Sequence, residues 1–217
     1  MDKHSDNGTH HAPERMAFIS HKHADKDLAE VVGRFIRLLS GGNVRIYLSG
    51  HAAYEGPRFS QPIPDELRSA LARAGLVLLI YTDPDDDWDW CMWECGVATD
   101  PNDDTATKVG VLSFGETVPS PYASSLNLMV DLHDEAPARS NRDILTQFAI
   151  EFCHDRHFWP DDLGAVSPRF TTTEIENMVT AFLEELSAVE LRRHDANKSR
   201  VLDALALNNR GGRLRYS

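Results

Sequence analysis

The chain has 217 residues, 41% of them apolar and 26% charged, which suits one domain with an extension and argues against a disordered chain. Its 22 basic residues against 34 acidic ones give a formal net charge of −12. That balance speaks against a general nucleic-acid binder, because phosphate neutralisation needs net positive surface, but leaves room for a small anionic ligand held by a few local cations.

Residues 1–13 are polar and without periodicity, and read as a disordered lead-in. His4, His10 and His11 fit no known metal spacing. The apolar run Met16–Ser20 reads as a strand, and Asp25 or Asp27 as the cap of a helix carrying Leu28, Val31, Val32, Phe35 and Leu39 at helical spacing, ended by Gly41-Gly42. Val44–Ser49 is β-branched and aromatic, a second strand. A long polar loop, Gly50–Gln61, precedes a helix opened by Pro62 and Pro64, with Ile63, Leu67, Ala70, Leu71 and Ala74 on its buried face and Gly75 as its stop.

Leu76–Tyr81 is apolar on both faces, as in a central parallel strand covered on both sides. An acidic loop, Asp83–Asp89, leads into a tryptophan-rich helix on which Trp90, Glu94, Val97 and Ala98 share one face. Lys108–Phe114 and Leu128–Leu132 read as strands four and five, and Asn141–Asp155 as a helix. Strand and helix alternation of this kind predicts a doubly wound parallel sheet with right-handed crossovers and a ligand site beyond the carboxyl ends of its strands. Ser20, the two long loops and Glu94 all fall at that rim.

Beyond Trp159 the pattern changes. Thr173 with Glu176 reads as a capping box for a helix with an apolar stripe from Ile175 to Val189, followed by a second helical stretch near Asn197–Leu207 and a loose basic tail. The expected division is residues 14–160 as the α/β domain and 161–217 as a helical extension, packed on the sheet domain or serving as a partner-binding arm. Three cysteines, an odd count, with no signal peptide and no run of 18 apolar residues, read as a cytoplasmic protein without membrane contact.

Phe18-Ile19-Ser20-His21, with Asp25 and Asp27 after it, resembles the opening of a Toll/interleukin-1 receptor (TIR) domain, and Trp90-Cys91-Met92-Trp93-Glu94 resembles that family's W-C-x-x-E motif. Gly50–Gln61 stands where the family has its BB loop, and the likeness runs from Met16 to His157. Trp88 replaces the small hydroxyl residue common two places before the motif, and Cys95 the usual leucine after it, which favours a bacterial-type member. The resemblance implies a flavodoxin-like sheet of five parallel strands with helices on both faces. It also implies NAD+ as substrate rather than cofactor, and Glu94 as the catalytic residue.

Oxidised nicotinamide leaves as a neutral base, so the reaction needs stabilisation of positive charge on the ribose, which one carboxylate supplies. Glu94, placed near the first turn of its helix, is expected to stay ionised at neutral pH through the helix dipole. Backbone N–H groups from Ser20 to His23, with Lys22 and Arg58, are candidate diphosphate donors. Tyr54 and Phe59 are candidate contacts to a base or a neighbouring subunit, Trp90 and Cys91 flank Glu94, and Phe18 is a rim candidate that reads more readily as core.

Cys91 and Cys95 are packing groups or, near a helix start, reactive thiols. Cys153-His154 with His157 lacks a fourth zinc ligand, and Asp85-Asp86-Asp87 reads as a solvated loop rather than a cation site, so no metal is expected. The reading that follows is a bacterial NAD+ glycohydrolase or cyclase. It would act in anti-phage immunity of the Thoeris type, releasing ADP-ribose or a cyclic isomer for a separate effector and assembling through the TIR domain and BB loop. The alternatives are a non-catalytic TIR interaction module that signals by self-association, and a nucleoside deoxyribosyltransferase-like enzyme with a nucleophilic glutamate.

Overall fold

A computed structural model describes residues 16–49, 65–98, 107–114, 126–130, 139–154 and 170–211. The elements are β1 (Met16–Ser20), a 3-10 turn (His23–Asp25), α1 (Lys26–Leu39), β2 (Arg45–Leu48), α2 (Asp65–Arg73), β3 (Ala74–Tyr81), α3 (Asp89–Ala98), β4 (Lys108–Ser113), β5 (Leu126–Met129), α4 (Arg139–His154) and α5 (Thr172–Gly211). All strand pairings are parallel and the order is β2-β1-β3-β4-β5. The chain therefore winds outward from β1 in both directions, and the connection sense reverses between β1 and β3. Crevices for ligands open at the carboxyl ends of such a pair.

Alternate residues of the strands serve two cores. Ala17, Ile19, Leu76, Leu78 and Ile80 share one core with α1 and α4, and α5 packs on those two helices. Met16, Phe18, Val77, Leu79 and Tyr81 pack against α2 and α3. Every residue of β3 is buried, as its unbroken apolar run requires. Gly33 lets α1 lie close on the sheet: a Cβ there would meet Ile46 Cγ2 at 3.0 Å.

Several boundaries differ from the sequence reading. Gly75 does not stop α2, which hands over directly from Arg73 to Ala74. It is the extra residue where the register slips from Met16 opposite Ala74 to Ala17 opposite Leu76, a bulge that glycine accommodates. Asp25 precedes α1 without a side-chain capping bond, because its carboxylate is engaged elsewhere. At the other end, Gly41 and Gly42 have φ of 57° and 84° and donate to the carbonyls of Leu38 and Arg37, closing the helix as expected. β5 begins two residues earlier than expected, at Leu126.

The C-terminal region is a single 40-residue helix rather than two. No glycine or proline interrupts it before Gly211, so nothing forces a break. Its capping box is Thr171 with Glu174, two residues upstream of the expected pair. The Glu174 carboxylate accepts from the Thr171 N–H at 2.7 Å and hydroxyl at 2.8 Å, and Thr171 Oγ1 accepts from the Glu174 N–H at 3.3 Å. Those bonds hold the Glu174 carboxyl below its usual pKa. Ile175, Val179, Phe182, Leu183, Leu186 and Val189 are buried in the same core as Ala17 and Ile19, so this part of α5 belongs to the sheet domain's packing. No described helix is long and apolar enough to cross a membrane.

Candidate active site

Three strand exits converge on one carboxylate. Ser20 ends β1, Ser49 follows β2, and Glu94 stands on α3, the helix reached from β3. All three side chains are buried, Glu94 completely. Ser20 Oγ donates to Glu94 Oε2 at 2.5 Å, the short distance of a charge-assisted O–H···O bond. Ser49 N–H donates to the Ile19 carbonyl at 3.1 Å, and Ser49 Oγ accepts from His21 N–H at 3.2 Å, which fixes the β2 exit against the β1 exit. Glu94 Oε1 has no hydrogen-bond partner among the described residues.

Burial pushes the Glu94 pKa up to about 7, against the opposing pull of Ser20, then Ser49 and Trp90. The expectation that Glu94 stays ionised at neutral pH rests on the helix dipole, and burial works against it. The helix dipole does not rescue the anion, because α3 begins at Asp89 and Glu94 lies beyond the first turn, where the effect has faded. Ser49 and Trp90 weigh on the carboxylate through proximity, without supplying Oε1 with a well-formed bond.

The Ser20 bond is the strongest local support for the charged form. Ser20→Ala is expected to move the Glu94 midpoint further up by roughly one to two pH units, given about 1.5–3 kcal/mol for a hydrogen bond to a charged group. NMR titration of the Glu94 side-chain carboxyl carbon measures this directly. An unmoved midpoint would mean that the bond serves the neutral acid as well as the anion.

The buried face of α3 is Cys91, Glu94, Cys95 and Ala98, whereas Val97 is 45% exposed. This corrects the expected face by rotating it toward the cysteines. Burial raises the Cys91 thiol to about 12, with the Glu94 charge adding to it, and raises Cys95 as well. Both are packing groups, and the reactive-thiol reading fails. Cys153 is likewise buried, with its thiol raised to about 11, and it donates to the Leu39 carbonyl at 3.6 Å.

Among the expected substrate contacts, Ser20, Trp90 and Cys91 do lie around Glu94, and Trp90, half-buried, stacks on Trp93 at 4.8 Å. Phe18 is core: it is fully buried and stacked on Tyr47 at 5.1 Å. The His21 backbone N–H is already taken by Ser49. Its ring, buried and bonded through Nδ1 to the Lys22 carbonyl at 2.8 Å, has its pKa lowered by burial. Lys22, a candidate phosphate donor, pairs through Nζ with the half-exposed Asp86 at 3.0 Å and lies 4.1 Å from the Trp88 ring centre, so a diphosphate would take the place of Asp86. Trp88 in turn donates to the Asp83 carbonyl at 2.6 Å, so this cluster pins the acidic loop to the β1 exit. Tyr54, Arg58 and Phe59, with the whole Gly50–Gln61 loop, lie outside the described residues.

Ser49 was missed as a site residue. Its only sequence cue is a hydroxyl at a strand exit, at the place where β1 carries Ser20. Among the described residues no group of three or more His, Cys, Asp or Glu is arranged to hold a metal ion. No protein-family model matches the chain, and no curated protein matches it closely enough to indicate kinship.

Proposed function

We propose that the chain is a TIR-like NAD+ glycohydrolase or cyclase in which Glu94 stabilises the ribosyl cation as nicotinamide departs. The observation that carries this reading is the asymmetry of the Glu94 carboxylate at the switch point. One oxygen is fixed by Ser20, and the other is buried and has no hydrogen-bond partner among the described residues. A buried acceptor left without a donor is costly in a stable fold, and a ribose hydroxyl would relieve that cost. The strand order 2-1-3-4-5 is that of flavodoxin-like sheets, which supports the same placement.

The raised pKa is compatible with the chemistry. A pyridinium ring beside the site favours the anion and lowers the pKa again, so the substrate draws Glu94 into its working state. Glycosidic cleavage then needs no general acid, and the charge developing on the ribose meets a carboxylate in a dry setting, where electrostatic attraction is strong. Water capture of the ribosyl centre gives ADP-ribose, and internal capture gives a cyclic isomer. In this reading the product serves anti-phage signalling through a separate effector. Because Glu94 has no exposed surface, a ribose reaches it only after the site opens, which fits activity that depends on self-association.

The same complete burial favours one competitor, a non-catalytic interaction module in which Glu94 is structural. Incubation of the purified chain with NAD+, dilute and crowded, separates the two by chromatography and mass analysis of the products. Nicotinamide release by wild type and not by Glu94→Gln sinks the interaction module. No release under any condition sinks the enzyme.

A further inference from the structure

Asp25 is 1% exposed, and its carboxylate reaches two distant parts of the chain. Oδ2 accepts from the Thr82 hydroxyl at 3.1 Å, and Thr82 is the residue that leaves β3. Oδ1 pairs with Arg193 at 2.5 Å, far along α5, one turn beyond the last core residue, Val189. The Asp25 backbone N–H also bonds to the Lys22 carbonyl at 2.9 Å, which ties the group into the β1 exit that carries Ser20 and His21. The other arm of the Arg193 guanidinium holds Glu190 at 3.2 Å, so the fork is oriented from its own helix before it meets Asp25.

A carboxylate this buried needs a countercharge, and Arg193 supplies it. The α5 stripe is seated against α1 and α4 by Val179, Phe182, Leu186 and Val189. The cation is therefore delivered by a rigid, packed element rather than by a loose surface chain. It sits where the two strand exits that frame Glu94 are joined.

We propose that Arg193 is a positioning residue for the Glu94 site. Through Asp25 it locks the exits of β1 and β3 to each other, and so holds Ser20 at the carboxylate. The inference rests on the reading of Glu94 as catalytic, and it makes α5 part of the catalytic unit.

The test uses the full chain. Arg193→Ala is expected to lower kcat for nicotinamide release by about 10²-fold, the size of loss that small misplacements of reacting groups produce, with KM for NAD+ little changed. Guanidinium ion, well below denaturing concentration, is expected to restore part of the rate to Arg193→Ala and none to Glu94→Gln, and Arg193→Lys is expected to fall between. Loss of the Ser20 bond moves the bend in kcat/KM to higher pH, which a smaller folded fraction alone does not do. Hydrogen exchange at the amides of residues 21–25 and 82 is expected to quicken in Arg193→Ala. Should that variant fold poorly, Thr82→Val, which keeps the ion pair and cuts the other tie, is expected to show the same quickening and a smaller loss of rate.

A wild-type kcat in Arg193→Ala, or a loss that guanidinium leaves untouched with exchange at residues 21–25 unchanged, overturns the proposal. If the wild-type chain itself leaves NAD+ intact, the reading of Glu94 fails, and exchange alone decides the clasp: faster exchange sustains it and unchanged exchange removes it.

Discussion

Between pH 4.5 and 7 the wild-type chain is expected to lose about 3 kcal/mol of folding stability through Glu94, and Glu94→Gln is expected to abolish that loss while removing most of the activity. The magnitude follows from a pKa raised from 4.5 to about 7, at about 1.4 kcal/mol per pH unit. The sign follows from proton counting. Between those two values the native state holds a proton that the unfolded chain has already released, so stability falls as pH rises, and above about pH 7 the whole penalty is present. The glutamine variant carries no charge to bury. Denaturant unfolding of both proteins at several pH values gives a difference curve in which other groups cancel. Parallel curves across that range would mean that Glu94 is not the strained group described here.

The activity side has its own shape. Glu94→Gln is expected to slow nicotinamide release by about 10²–10³, roughly 3–4 kcal/mol, the usual cost of removing one preorganised electrostatic partner. For wild type, kcat/KM should climb tenfold per unit to a bend near the free-enzyme pKa of about 7. The bend in kcat should lie lower, because the bound pyridinium stabilises the anion. A variant that is firmer at pH 8 and far slower toward NAD+ is the expected signature of a strained functional group. Bends at the same pH in both parameters would remove the proposed charge coupling between substrate and carboxylate.

The parts of this molecule that sequence made readable are those whose cues are local. The apolar run of β3, the Gly41-Gly42 stop and the placement of Glu94 after a central strand each follow from a few adjacent residues. The face of α3 was not readable, because large tryptophans draw a hydrophobicity pattern toward themselves. Here Trp90 and Trp93 stay half-buried at the rim while small, apolar Cys91 and Cys95 go inside. Asp25 had the local look of a helix cap, and only the fold reveals a partner 168 residues away. The ionisation of Glu94 was misjudged for the same reason: a dipole can be guessed from a helix boundary, but desolvation depends on what the whole chain places over the group.

Phe182→Ala is expected to cost about 3–5 kcal/mol, the range for truncating a buried aromatic ring. Phe182 is 4% exposed and stacked on Phe35, with centroids 4.1 Å apart and planes 10° apart. For a chain of this size that corresponds to a fall in Tm of roughly 6–20 °C. Leu191, further along α5 and 68% exposed, is expected to tolerate alanine within about 0.5 kcal/mol. Leu191 stands two residues past Val189, on the opposite side of the helix, so the contrast separates the core face of α5 from its solvent face.

Two probes read the loss from opposite sides of the sheet. Far-UV circular dichroism is dominated by the helices, α5 foremost, while Trp88, Trp90 and Trp93 report the α2/α3 face by fluorescence once Trp159, outside the described residues, is replaced by phenylalanine. If α5 is core, both transitions shift together in Phe182→Ala, since one cooperative unit has lost one contact. If α5 is a detachable arm, fluorescence holds its wild-type midpoint while the helical signal falls early. The reach of Arg193 to Asp25 would then lack the rigid support that a positioning role demands.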